Sequence, residues 1–87
     1  MPKKDAYYEL DLHGVRPEND AVGPKLRTAL SQARRRHQGL CIIHGRGEYI
    51  LAAIVHQFLE GMGLEYQQGV LNPGETRVEA LTLQRHS

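Results

Sequence analysis

The chain is short of the features that mark most specialised classes of protein. Its 87 residues include a single cysteine, Cys41, so neither an intramolecular disulfide nor a multi-cysteine zinc site can form. That usage fits a reducing compartment, and a cytoplasmic location is expected. No apolar run approaches the roughly 20 residues of a membrane-spanning helix. After Met1-Pro2-Lys3-Lys4-Asp5, the sequence Ala6-Tyr7-Tyr8-Glu9 stands where a signal peptide needs an apolar core, so no membrane partner is expected. Aromatic residues are few (Tyr7, Tyr8, Tyr49, Phe58 and Tyr66) and suggest no base-stacking platform. Neither sign of charge dominates: 11 Lys+Arg against 10 Asp+Glu leave +1 with histidine neutral. That sum argues against a strongly basic nucleic-acid binder.

What is there is an ordinary globular composition, 40% hydrophobic and 24% charged. The length supports one domain over residues 1–87, with a core of about 7–84 and short tails. No internal repeat or low-complexity segment divides it. The charge is unevenly placed, however. Residues 1–46 carry nine basic and five acidic residues, whereas residues 47–87 carry two and five. Such asymmetry points mildly to an anionic partner. Two solvated faces of a globule account for it about as well.

Hydrophobic periodicity gives the elements. Tyr7-Tyr8-Glu9-Leu10-Asp11-Leu12-His13 alternates, with Tyr8, Leu10 and Leu12 on one face, and reads as a half-buried strand ending at Gly14. After a turn at Arg16–Asp20, a helix has Leu26, Ala29, Leu30 and Ala33 on its inner side. Its start is disturbed by Gly23-Pro24 and its end suits a cap at Gly39. Leu40-Cys41-Ile42-Ile43 is a short apolar strand, with Cys41 read as a core residue. A second helix follows, with Ile50, Leu51, Ile54, Val55, Phe58, Leu59 and Met62 as its stripe and Gly61 and Gly63 at its end. Leu64–Gln68, continuing towards Leu71, and Thr76–Leu83 read as two antiparallel strands around an Asn72-Pro73-Gly74-Glu75 turn. The expected fold class is α/β. The β-α-β-α-β-β order predicts a two-layer sandwich with a mixed sheet and both helices on one face.

Ligands of parallel α/β sheets bind beyond the carboxyl ends of the strands. Two histidine-glycine pairs fall there, His13-Gly14 and His44-Gly45. In His44-Gly45-Arg46-Gly47 the glycines permit close backbone approach, the following helix start attracts anions, and Arg46 offers a fork for phosphate oxygens. A tight turn is the plainer reading of that stretch. Asp11 and His13, two apart on a strand, project to one side. Such a pair can orient a base, hold a metal or simply bond to itself. Arg34-Arg35-Arg36 matches the negative end of the first helix. A solvated face is the default reading of this run; tracking phosphates, together with Lys25, is the sharper one. His56, on the polar side of the second helix, and His86 receive no role.

Leu10-Asp11-Leu12-His13-Gly14, followed about thirty residues later by Ile43-His44-Gly45-Arg46-Gly47, resembles the Smr (small MutS-related) domain. The resemblance runs from about Tyr8 to Leu83. It implies a sandwich similar to the C-terminal domain of bacterial translation initiation factor three. It also implies DNA or RNA binding, commonly with endonuclease activity. On this reading Asp11, His13 and His44 are the candidate catalytic residues. Gly45, Arg46 and Gly47 form a phosphate-engaging loop, and Lys25, Arg34 and Arg35 supply neighbouring phosphate contacts. No metal ligand set is assigned, and a divalent metal at Asp11 stays open. The partners implied are DNA or RNA, within a larger chain or a repair or translation machinery; the oligomeric state is not implied. Three positions depart from the family pattern. Ala52 follows Leu51 where a Leu-Arg pair is usual, the paired-glycine turn is reduced to Asn72-Pro73-Gly74, and Gly23-Pro24 interrupts the first helix.

The sequence therefore supports an endonuclease that hydrolyses phosphodiester bonds in DNA or RNA. A non-catalytic module recognising nucleic-acid structure is the alternative, favoured by the missing arginine and the reduced turn. A small phosphorylated-metabolite binder using the G-x-G turn alone is a third class.

Overall fold

The computed structural model describes residues 6–16, 22–45, 49–68 and 74–85. They form β1 (Tyr7–Asp11), α1 (Val22–Arg35), β2 (Gly39–Ile43), α2 (Tyr49–Gly61), β3 (Gln67–Gln68), β4 (Glu75–Val78) and α3 (Ala80–Arg85). The sheet runs in the order β1-β2-β4-β3, with β1 and β2 parallel and β4 antiparallel to both its neighbours. This is the mixed sheet of an α/β sandwich that the element order predicts.

Register decides which residues are buried under the helices. Tyr8 pairs with Leu40, Leu10 with Ile42, Leu40 with Val78 and Ile42 with Thr76. Because side chains alternate along a strand, these residues share one face. That face meets Leu26, Ala29, Leu30 and Ala33 of α1, Leu51, Val55 and Leu59 of α2, and Leu83 of α3 in a single core. Both long helices therefore cover the same face. Tyr7, Glu9, Asp11, Cys41, Ile43, Glu75 and Arg77 point to the other.

Four local expectations are corrected. Pro24 does not delay α1, which begins at Val22; proline is tolerated in a first turn, where the N–H it lacks would have had no helical acceptor. The cap of α1 is not Gly39 but His37, at φ 57. The His37 N–H donates to the Arg34 carbonyl at 3.1 Å and the Gln38 N–H to that of Ala33 at 2.9 Å, which closes a Schellman motif. At the end of α2 the same motif uses Gly63, at φ 75, with Leu64 packed back into the core. The expected strand over Thr76–Leu83 stops at Val78, and Ala80–Arg85 turns into α3, because Leu83 is drawn back into the core. Finally, Ile50 is 74% exposed and Tyr49 81% exposed, so the first two residues of α2 stand clear of the core, which the helix joins at Leu51.

Candidate functional site

The carboxyl ends of β1 and β2 lie side by side. Asp11 is in register with Ile43, and the Leu12 N–H donates to the Ile43 carbonyl at 2.7 Å. Leu12 then anchors the chain in the core. The Val15 N–H returns to the Leu12 carbonyl at 2.9 Å, closing a turn whose third residue, Gly14, has φ 84. Glycine occupies that left-handed position without strain. Within this turn Oδ1 of Asp11 accepts a hydrogen bond from the His13 backbone N–H at 2.9 Å. Asp11 and His13 are both exposed. The pair is thus preset by the backbone at the open end of the sheet.

His44 sits on the neighbouring strand end but faces the opposite way. It is 1% exposed, under the helices. The hydroxyl of Thr76 lies 2.9 Å from Nε2 of His44 and 2.8 Å from Nε2 of His56. The two imidazoles meet edge to face with centroids 6.0 Å apart, and His56 stacks on Tyr66 at 4.5 Å. Among the described residues, Nδ1 of His44 has no partner, although it is buried. The backbone N–H groups of His44 and Gly45 both donate to the carbonyl of Gly74, at 2.8 and 2.9 Å. The strand ends therefore bring His13 and His44 together through the backbone, while their side chains enter different environments.

His56 is the residue that sequence reasoning left without a role. It follows Val55 directly and so flanks the buried Leu51-Val55-Leu59 stripe. Its partner Thr76 is a hydroxyl on the covered face of β4, 20 residues away, so no signal in the sequence marked the pairing. Burial lowers the pKa of His56, the nearby His44 lowers it further, and Glu60 partly opposes both. The Tyr66 hydroxyl, which donates to Glu60, is itself pushed up by that bond.

The basic residues divide along α1. In a right-handed β-α-β crossover the helix runs back from the carboxyl end of the first strand to the start of the second. Lys25, in the first turns, is at the Asp11 end and exposed. Arg34 and Arg35 close the helix, about 15 Å further down its axis at 1.5 Å per residue. Nε of Arg34 donates to the Leu83 carbonyl at 3.3 Å, and the Arg36 guanidinium lies over the Tyr8 ring at 5.2 Å. Arg34 and Arg35 therefore sit at the opposite end of the sheet from Asp11 and His13. Arg46 and Gly47 lie outside the described residues. Gly45, the last described residue before them, has φ 94.

The uncovered face carries its own polar cluster. Nε of Arg77 donates to Oε1 of Glu75 at 2.9 Å, in an ion pair whose carboxylate is nearly buried. The Arg77 guanidinium rests 5.1 Å above the Tyr7 ring, and the Tyr7 hydroxyl donates to Glu79 at 2.7 Å. The Cys41 thiol donates to Glu75 at 3.1 Å. Burial, then that bond to Glu75, pushes the thiol up to about 12, so Cys41 is no nucleophile at neutral pH. Cys41 is buried as expected, but on this face and not in the core beneath the helices. Among the described residues no group of three or more His, Cys, Asp or Glu is placed to hold a metal ion, and no helix is long and apolar enough to cross a membrane.

Against protein families, the model of the Smr domain matches residues 10–76. The matched span opens at Leu10, one residue before Asp11, and closes on Thr76. No curated protein and no solved structure matches the chain.

Proposed function

The chain belongs to the Smr domain family, which is associated with nucleic-acid binding and nuclease activity, and from that premise we propose that it is a nucleic-acid-binding domain that hydrolyses phosphodiester bonds in DNA or RNA. One observation carries the proposal: Asp11 and His13 are exposed together at the carboxyl end of a parallel strand pair, on a turn held by their own hydrogen bond. His13 exchanges the proton of the attacking or leaving oxygen, as an imidazole can serve as general base or general acid. Asp11 fixes the His13 backbone and presents a carboxylate to the reacting group, directly or through a divalent cation. Gly45, Arg46 and Gly47 form the turn that meets the phosphate, with the Arg46 guanidinium opposing its developing charge. Lys25 contacts a phosphate beside the site. Arg34 and Arg35 contact phosphates further along the strand. His44, enclosed with Thr76, positions this turn and does not touch the substrate.

The test is nicking of supercoiled plasmid and cleavage of a structured RNA, each with magnesium and with chelator. Activity that is abolished by His13→Ala supports the reading. Activity that persists in both Asp11→Ala and His13→Ala rules the site out.

A second reading, a module that binds nucleic-acid structure without cutting it, has its own support. The His44 and Gly45 N–H groups are already committed to the Gly74 carbonyl, which removes two donors from a phosphate cradle. Tight, salt-sensitive binding with no cleavage under any condition above establishes it.

A further inference from the structure

The Thr76 hydroxyl is asked to serve two imidazole nitrogens with one proton. It can donate to only one of them, so the other must donate to it. The two histidines therefore take opposite tautomers, one protonated at Nε2 and the other at Nδ1. The partnerless Nδ1 of His44 decides which. A buried N–H with no acceptor is rarer in proteins than a buried acceptor left unfilled. His44 thus keeps its proton on Nε2 and donates to Thr76, and Thr76 donates to Nε2 of His56. Protonation of His56 would make its Nε2 a second donor to the same oxygen and strand the hydroxyl proton. It would also place a cation 6.0 Å from the ring of His44.

We propose that His56 is a positioning residue that, in its neutral form, holds His44 and the Gly45 backbone beside it through the Thr76 hydroxyl, and that its protonation releases them. The linkage to Gly45 is covalent and hydrogen-bonded at once. The His44 ring bonds to Thr76, and the His44 and Gly45 amides bond to Gly74 just before β4. The titratable groups facing His56 come from three elements: His44 after β2, Tyr66 ahead of β3, and Glu60 one helical turn along α2. Burial and His44 both disfavour the imidazolium, so the neutral, holding form prevails at neutral pH. The consequence for cleavage rests on the function proposed above; the hydrogen-bond arrangement does not.

The experiment uses the full chain with nitrogen-15 histidine spectra and amide spectra followed from pH 8 to pH 4.5, alongside His56→Gln and Thr76→Val. We expect Nε2–H on His44 and Nδ1–H on His56. The amides of His44 and Gly45 should shift at the His56 midpoint. In Thr76→Val, a near-isosteric loss of the hydroxyl, the His44 ring and these amides should no longer follow His56. In His56→Gln, whose amide oxygen can still accept from Thr76, the transition should vanish while amide dispersion stays native. A His44 carrying its proton on Nδ1 overturns the proposal. So do His44 and Gly45 amides that ignore the His56 transition, or that titrate unchanged in His56→Gln. An inactive wild type would count against the nuclease reading alone, because none of these readouts requires turnover.

Discussion

The carboxylate of Asp11 accepts the backbone N–H of His13 and not its ring. Asp11 therefore has two separable properties, an acceptor oxygen that shapes the turn and a negative charge at the strand end. Asp11→Asn keeps the first and removes the second, since an asparagine oxygen makes the same turn. If charge is what the reaction uses, plasmid nicking by Asp11→Asn falls as far as in Asp11→Ala, about 10²–10⁴-fold. Nicking near the wild-type rate in the asparagine variant would assign Asp11 to the turn alone. Comparing the two initial rates decides it.

Gly39 has no room for a side chain. A Cβ there would stand 2.6 Å from the Val78 carbonyl oxygen and 2.8 Å from the Tyr7 ring. The carbonyl is backbone of the neighbouring strand and the ring is tethered to Glu79, so neither yields cheaply. Gly39→Ala should lower stability by about 1–3 kcal/mol, the usual cost of forcing methylenes into a packed site. Urea denaturation of the two proteins measures it.

His37 is the reverse case, a side chain where glycine would be easier. A left-handed residue costs about 1–2 kcal/mol when it carries a Cβ, whereas a glycine loses about 0.4–1 kcal/mol through the freedom it adds to the unfolded chain. The first term is the larger. His37 is exposed and carries the left-handed cap of α1. His37→Gly should therefore stabilise by roughly 0.5–1 kcal/mol, seen as a raised urea midpoint with unchanged slope.

These two positions also show where the sequence could be read and where it could not. The strand pattern of Tyr8 and Leu10, the α1 stripe and the two histidine-glycine pairs are local signals, and each led to the observed order of elements. Gly39 misled because a glycine after a helix suggests a cap, whereas this one is required by a ring from a different strand. Thr76–Leu83 misled for the same reason. Its apolar residues fit a strand, and only the core position offered to Leu83 makes the second half helical. At the site, Asp11 and His13 are two apart in an alternating segment, so their shared exposure was legible, although His13 lies in the turn after β1. The fate of His44 depended on Thr76, 32 residues from it along the chain, and on His56, 20 residues from Thr76. No local pattern carries such a pairing.

Cys41 should be inert at neutral pH. With its thiol pushed up from 9.0 to about 12, the thiolate population at pH 8 is about 10³-fold below that of an unshifted cysteine, and alkylation of the native protein should slow accordingly. Glu75→Gln removes a neighbouring charge that raises the pKa and should speed the reaction. The same shift has a sign in stability. Between pH 9 and about 12 the folded state holds a proton that the unfolded state has lost, so this contribution is full below pH 9 and fades as pH rises. Cys41→Ser keeps a donor for Glu75 without the titration, and its stability should fall less between pH 8 and pH 10.5.

The division of cations along α1 makes substrate length a readout. Lys25 is at the end of the helix beside Asp11, whereas Arg35 is about 15 Å down the axis. A phosphate cut at Asp11 and His13 can have a near neighbour at Lys25, but only a strand that runs the length of α1 reaches Arg35. Arg34 is a poor probe because its guanidinium also holds the Leu83 carbonyl of α3, so its loss would perturb packing as well. Lys25→Gln should weaken binding to short and long oligonucleotides alike. Arg35→Gln should weaken binding only to the long ones. Each lost contact should reduce the slope of log affinity against log salt by about 0.9 for duplex and about 0.7 for a single strand. Binding titrations at four salt concentrations, with a short and a long oligonucleotide, separate the two. An Arg35→Gln effect as large on the short oligonucleotide as on the long would mean that the strand crosses the far end of the sheet and not the ends of β1 and β2, and the Asp11–His13 site would lose its substrate.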